Sequence, residues 1–125
     1  MSKVERCPCC SGQLYVQCCE PYLTSAKQAP TAVALMRSRY TAYVLACVDY
    51  IIETTLPKNR RFYKKKDIEL WAKESTWMKL EVQKYSETIV CFKAFYLDKQ
   101  LQPQVHLEES LFKYEDDKWY FVEGN

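Results

Sequence analysis

The stretch LEVQKYSETIVCFKAFYLDKQLQPQVHLEESLFKYEDDKWYFVEG, residues 80–124, decides the fold class. Leu80 and Val82 alternate with Glu81 and Gln83, and three further apolar runs follow: TIVCFKAFYL (88–97), VHLEESLFKY (105–114) and KWYFVEG (118–124). The connections SE, DKQLQP and EDD are short and polar. Period-two runs separated by turn residues predict four strands in an antiparallel meander.

Upstream the period changes. Pro30-Thr31 reads as a helix entrance with Thr31 as its cap, and Val33, Met36, Tyr40, Tyr43, Val44, Cys47 and Ile51 recur at steps of three and four. That spacing predicts an amphipathic helix with one apolar stripe. Asp49 is expected to cap a second short helix, YIIETTL, closed by Pro57. After a basic loop, KNRRFYKKK (58–66), Asp67 is expected to cap a third, DIELWAKES. Helices first and sheet afterwards define an α+β domain with the helices covering one sheet face. Whether they enclose a pocket or a filled core is open at this level.

The chain has 125 residues, of which 48% are hydrophobic and two are glycine, as expected for one globular domain with a small appendage. A formal charge of +2 is too small for wholesale coating of nucleic acid. The opening MSKVER lacks the apolar run of a secretory leader, and no stretch reaches the roughly 18 apolar residues that span a bilayer. A cytoplasmic protein with no membrane partner is therefore the expectation, and thiols stay reduced there.

Against that background CPCCSGQLYVQCCEPY, residues 7–22, stands out, with five of the seven cysteines. Cys7, Cys9, Cys18 and Cys19 have the spacing C-x-C-x8-C-C, and a loop carrying Ser11-Gly12 is long enough to bring the two pairs around one ion. Four thiolates fill a zinc tetrahedron and leave no position for water, so the expected cofactor is structural Zn²⁺, the alternative being a cluster of free or redox-reactive thiols. Cys10 is a fifth thiol beside the site, able to compete as a ligand or to oxidise.

The same residues resemble a known motif. CPC, then Tyr, then CC is similar to the SEC-C zinc motif of the SecA translocation motor. The longer string from CPCC through LMRSRYTAYV, continued by DYIIETTLP, EESLF and WYFVEG, resembles the YchJ family of bacterial proteins. The resemblance implies a zinc knuckle at residues 1–23 and a nuclear-transport-factor-2-like domain at 30–125, a cone of helices wrapped by a curved sheet. It implies Cys7, Cys9, Cys18 and Cys19 as ligands and supplies no biochemical activity. Two departures stand out. The family pattern has glycine where this chain has Cys10, and QLYVQ between the cysteine pairs lacks the lysines with which such motifs dock on acidic partners.

Other candidates lie in the main domain. Arg37 and Arg39 are about 200° apart on a helix, so at most one faces a given ligand. Tyr40 lies on the apolar stripe. Alternation puts His106, Glu108 and Ser110 on one face of the third strand with Phe112 and Tyr114, and Val105, Leu107, Glu109 and Leu111 on the other. Both faces mix polar with apolar residues, so the inner one is undecided. Arg37, Arg39, Tyr40, His106, Glu108 and Ser110 are the candidate pocket residues, and none is assigned a catalytic role. Lys58, Arg60, Arg61, Lys64, Lys65 and Lys66, with Phe62-Tyr63 between them, form a candidate basic contact surface.

The expected function is a zinc-bearing binding module with a protein partner, nucleic acid being less favoured because acids at Asp67, Glu69 and Glu74 dilute the patch. The alternative is a small-ligand binder or enzyme using the cone. A filled cone with Leu14 and Val16 exposed on the knuckle would favour the first. An open pocket with a convergent acid and a His or Arg would favour the second.

Overall fold

The computed structural model describes residues 5–125, so the first four positions of the segment assigned to the knuckle lie outside the described residues. A knuckle with a single turn of helix, α1 (Glu20–Leu23), leads into α2 (Ala32–Val44), α3 (Val48–Glu53) and α4 (Lys65–Glu74). Four strands follow, β1 (Thr76–Tyr85), β2 (Ile89–Leu97), β3 (Pro103–Glu115) and β4 (Lys118–Gly124), in one antiparallel sheet ordered β1-β2-β3-β4. The meander is as the alternation predicts, although β1 starts four residues before Leu80.

Turn chemistry accounts for the connections. Asp116 and Asp117, at φ 53° and 66°, make the two-residue turn between β3 and β4, where both central residues take left-handed backbone. Asp98 holds the β2–β3 loop by accepting from the backbone of Gln100 and Gln102 and the side chain of Gln104. Extra residues in β1, and in β4 opposite Leu111/Phe112 of β3, increase the local twist, as bulges do.

The helices depart from the pattern in three places. Thr31 caps α2 by accepting from Ala34 N–H at 3.1 Å, as expected. The helix behind it has no single stripe, however. Ala32, Leu35, Met36, Ser38, Arg39, Tyr40, Thr41 and Ala42 are all buried, because α2 runs between the sheet, the knuckle and the other helices. Second, α3 begins at Val48, which puts Asp49 inside its first turn instead of at its cap. Third, α4 begins at Lys65, so Asp67 also lies in a first turn, where a carboxylate favours the helix dipole. The basic stretch before α4 is not a plain loop, since Pro57–Phe62 forms a 3-10 helix.

One core joins the parts. Leu35, Met36 and Tyr40 of α2 pack with Leu80, Val90, Ala94, Phe112 and Phe121 of the sheet, and Cys7, Cys9 and Cys19 belong to the same cluster. The outer edge of β4 is covered by the segment after α3: Leu56 N–H donates to Phe121 C=O, Phe121 N–H to Thr54 C=O, and Asn59 Nδ2 to Val122 C=O. Backbone groups that would template another strand are thereby occupied.

On β3 the inner face is His106, Glu108, Ser110 and Phe112. The more apolar-looking set, Val105, Leu107 and Leu111, is exposed. The polar face is turned inward.

Candidate metal centre and ligand cavity

The knuckle is a tight turn built on backbone bonds. Cys7 N–H donates to Gln13 C=O at 2.8 Å, Cys10 N–H to Cys7 C=O at 3.1 Å, and Arg6 pairs with Leu14 across it. Two residues carry left-handed backbone there, Cys10 at φ 65° and Gly12 at φ 91°. The 3-10 turn Tyr15–Gln17 and the start of α1 then bring Cys18 and Cys19 back.

The result is a quartet. The Sγ atoms of Cys7, Cys9, Cys18 and Cys19 all lie within 4.8 Å of one another, and three of the four residues are buried. Cys9 and Cys18 are 3.6 Å apart and Cys18 and Cys19 4.0 Å. Sulfurs placed ~2.3 Å from one tetrahedral centre are about 3.8 Å from each other, so the spacing suits one ion. It is far too long for a disulfide, and all seven cysteines are free.

Electrostatics agree with the geometry. The thiols of Cys19 and Cys7 donate toward Cys9 and hold its pKa far below the usual thiol value. Cys19 is pushed up by those same hydrogen bonds to Cys7 and Cys9, and burial raises Cys18 to about 11. Crowded sulfurs resist sharing negative charge, and a divalent cation is what lets all four ionise together. Outer contacts hold the set: Ser11 Oγ is 3.2 Å from Cys18 Sγ, and Thr41 Oγ1 3.7 Å from Cys7 Sγ. Cys10 is outside the quartet; its exposed side chain instead accepts from Leu80 N–H at 3.5 Å.

The cone is open. A cavity of about 320 Å³ lies between α2, α4 and the sheet, and Arg39, Tyr40, His106, Glu108 and Ser110 line it. Five of the six candidate pocket residues thus converge. The sixth, Arg37, points the other way and donates from Nη1 to the Cys9 carbonyl at 2.7 Å, as the 200° separation requires. Arg39 is only 8% exposed; its Nη1 donates to Ile51 C=O and to the Thr54 and Thr55 hydroxyls, and its guanidinium lies 4.3 Å from the Phe121 ring centre.

Glu108 is the anionic counterpart. Its Oε1 is 2.6 Å from His106 Nε2, and its Oε2 accepts from Ser110 Oγ. Burial pushes the carboxyl up, but the hydrogen bonds from His106 and Ser110 and the neighbouring His106 and Arg39 charges outweigh it and hold the pKa below the usual carboxylate value. Gly124 makes room for this arrangement, because a Cβ there would sit 2.1 Å from Glu108 Oε2.

The walls are aromatic, and the sequence reasoning missed most of them. Trp71 packs edge-on against Tyr43, Trp77 and His106 at 5.2, 5.4 and 5.2 Å. Phe92 closes another side. The only available signal was the excess of large aromatics, ten Tyr, five Phe and three Trp. Beyond Tyr40 and Tyr43 on the helical stripe, nothing in the spacing says which of them face inward.

The basic stretch is partly consumed by structure. Arg60 donates to the Thr55 and Glu53 carbonyls, Arg61 lies over the exposed Phe62 ring, and Lys65 pairs with Asp49 at 2.6 Å. Lys64 lines the cavity, while Lys58 and Lys66 are exposed. On the knuckle Val16 is exposed and Leu14 half-buried.

A four-cysteine knuckle seated on helices that a curved antiparallel sheet wraps defines a SEC-C-type protein with an NTF2-like domain. The comparisons make the class specific. The family model described as "YchJ, middle NTF2-like domain" matches residues 31–124, and the chain belongs to the YchJ family. It is 38% identical to a UPF0225 protein of Haemophilus influenzae over 96% of this chain and 77% of that one. To a UPF0225 protein of Geobacter sulfurreducens it is 41% identical, over 94% and 77%. The solution structure of a SEC-C motif containing protein from Rhodopseudomonas palustris superposes with a TM-score of 0.87 at 37% identity, covering 95% of this chain and 96% of that one. A crystal structure of a SEC-C motif containing protein from Psychrobacter arcticus gives 0.76 at 35% identity, covering 94% and 80%.

Among the described residues no helix is long and apolar enough to cross a membrane.

Proposed function

We propose that the protein binds a small molecule in the cone, with a zinc ion in the knuckle as a structural staple. Cys7, Cys9, Cys18 and Cys19 would hold the ion. Bound there it supplies cross-linking and no chemistry, since four thiolates leave no coordination position for a reacting atom. Its cysteines pack in the core of the main domain, so the staple ties the knuckle to the middle of α2, from which Arg37 reaches the Cys9 carbonyl.

The single observation that carries the binding reading is the convergence of Arg39 and Glu108 on one open, aromatic-walled cavity. Ligand sites have this make-up: a concave, mainly apolar space near 300 Å³ or larger with a few placed polar groups. The protein-docking reading has less in its favour, because among the described residues of the knuckle Val16 is the one large hydrophobic side chain that stands exposed, and no cation lies between the cysteine pairs.

The test is a cavity-filling variant. Ala94 lines the cavity and carries none of its polar groups. Anilinonaphthalene sulfonate should bind the folded wild-type chain at one site, and A94L should abolish that site while leaving the far-ultraviolet spectrum unchanged. Binding unaffected by A94L, or no binding at all, would count against the cavity.

A further inference from the structure

We propose that the cavity takes a small organic acid with a flat apolar body, its carboxylate on Arg39 and a hydrogen-bond donor at its other end on Glu108. This rests on the cavity-binding reading and names the ligand class for it.

The hydrogen bonds of Arg39 are confined to one corner of its guanidinium. Only Nη1 is engaged by protein, with Ile51, Thr54 and Thr55. Nε and Nη2 have no partner among the described residues. No side-chain nitrogen or oxygen sealed from solvent lacks a partner there, so these two donors open onto the cavity that Arg39 lines. A buried guanidinium held over Phe121 and anchored at one corner thus presents its Nε–Nη2 edge. Two parallel N–H groups on that edge match the two oxygens of a carboxylate.

Charge placement gives the second half. Glu108 is close enough for each group to bias the other's ionisation, yet the two make no ion pair. An arginine and a carboxylate sharing one cavity without pairing leave a gap between them for a ligand. Each Glu108 oxygen already accepts one hydrogen bond and keeps a lone pair, so it welcomes a donor and repels a second anion. The ligand is therefore acidic at one end and donating at the other. Between those ends Trp71, Trp77, Tyr43 and Phe92 offer ring faces and edges to a planar body. A phosphate ester fits less well. Its roughly two negative charges would meet Arg39 and Lys64, but Glu108 and Asp67 line the same cavity and oppose a second charge beside them.

Intrinsic tryptophan fluorescence, with Trp71 and Trp77 in the walls, is the readout, and amide NMR shifts locate the site. The probes are 3- and 4-hydroxybenzoate, their methyl esters, 4-methylbenzoate and phenyl phosphate, added to zinc-loaded full-length protein. A hydroxybenzoate should bind at one site, with its ester about tenfold weaker or worse, since a charge-assisted pair is lost. The hydroxyl should be preferred over the methyl group, and E108A should erase that preference. R39K should narrow the acid-to-ester ratio, because lysine cannot reproduce the fork. If R39K does not fold, the wild-type ratio still decides. Esters binding as tightly as acids, or phenyl phosphate binding best, would overturn the acid while leaving the cavity reading intact. No binding of any probe at millimolar concentration, together with no anilinonaphthalene sulfonate site, would overturn both.

Discussion

Arg37 Nη1 and the carbonyl oxygen of Cys9 are 2.7 Å apart, although 28 positions separate the two residues in the chain. This bond runs from the middle of α2 to the backbone of a cysteine in the quartet. It couples the order of the knuckle to the most buried helix of the domain.

Replacing Arg37 should therefore be felt at the metal site. R37A removes a hydrogen bond from a charged donor, worth about 2 kcal/mol when partly buried. The expected outcome is a lower urea midpoint and faster loss of zinc to a chelator. An unchanged release rate would show that the carbonyl is held by other means.

Metal removal should reach beyond the knuckle. Cys7, Cys9 and Cys19 share a core cluster with Leu35, Met36 and Tyr40, so a chelator should lower the melting temperature of the whole chain in one cooperative transition. Purified protein should hold one zinc per chain by elemental analysis. C18S should lose most of it.

Cys10 is the contrasting case. It occupies left-handed backbone at φ 65°, where glycine is free of the steric cost, and it lies outside the quartet. C10G should keep one zinc per chain and gain up to about 1 kcal/mol, less the loss of its contact with Leu80 N–H. Reduced zinc content in C10G would make Cys10 a ligand.

Gly124 and Glu108 form a double-mutant cycle. In G124A the new Cβ meets the Glu108 carboxylate and displaces it from His106 and Ser110. We expect a cost of about 1–2 kcal/mol in the native background and near zero in E108A, where the obstructing group is gone. Additive costs would mean that the two residues do not meet.

Acid should weaken the same carboxylate. Its folded pKa lies below the unfolded value, so its stabilisation is fully present above roughly pH 4.3 and is lost as pH falls through the folded value. The stability difference between wild type and E108Q should thus shrink from neutral pH to about pH 3. Taking the difference cancels metal loss common to both proteins. A gap that widens on acidification would reverse the assignment.

Much of this was legible in the residues. Alternation in 80–124, the Thr31 cap and the paired cysteines are local signals, each set by a backbone period or by a ligand's valence. They therefore survive whatever packs around them. Helix starts were less legible: Asp49 and Asp67 look like caps but sit one or two residues inside, because a carboxylate suits either a cap or a first turn.

What the chain alone determined was an α+β meander behind four metal-ready thiols, together with the rule that Arg37 and Arg39 point to different places. Only the tertiary structure decided which face of β3 is inside, that the cone is open, and that Arg39, Glu108 and the tryptophans meet in it. The reason is physical. A strand with polar and apolar residues on both faces has no preferred side until a helix packs against one, and cavity walls come from residues far apart in sequence that only the closed fold brings together.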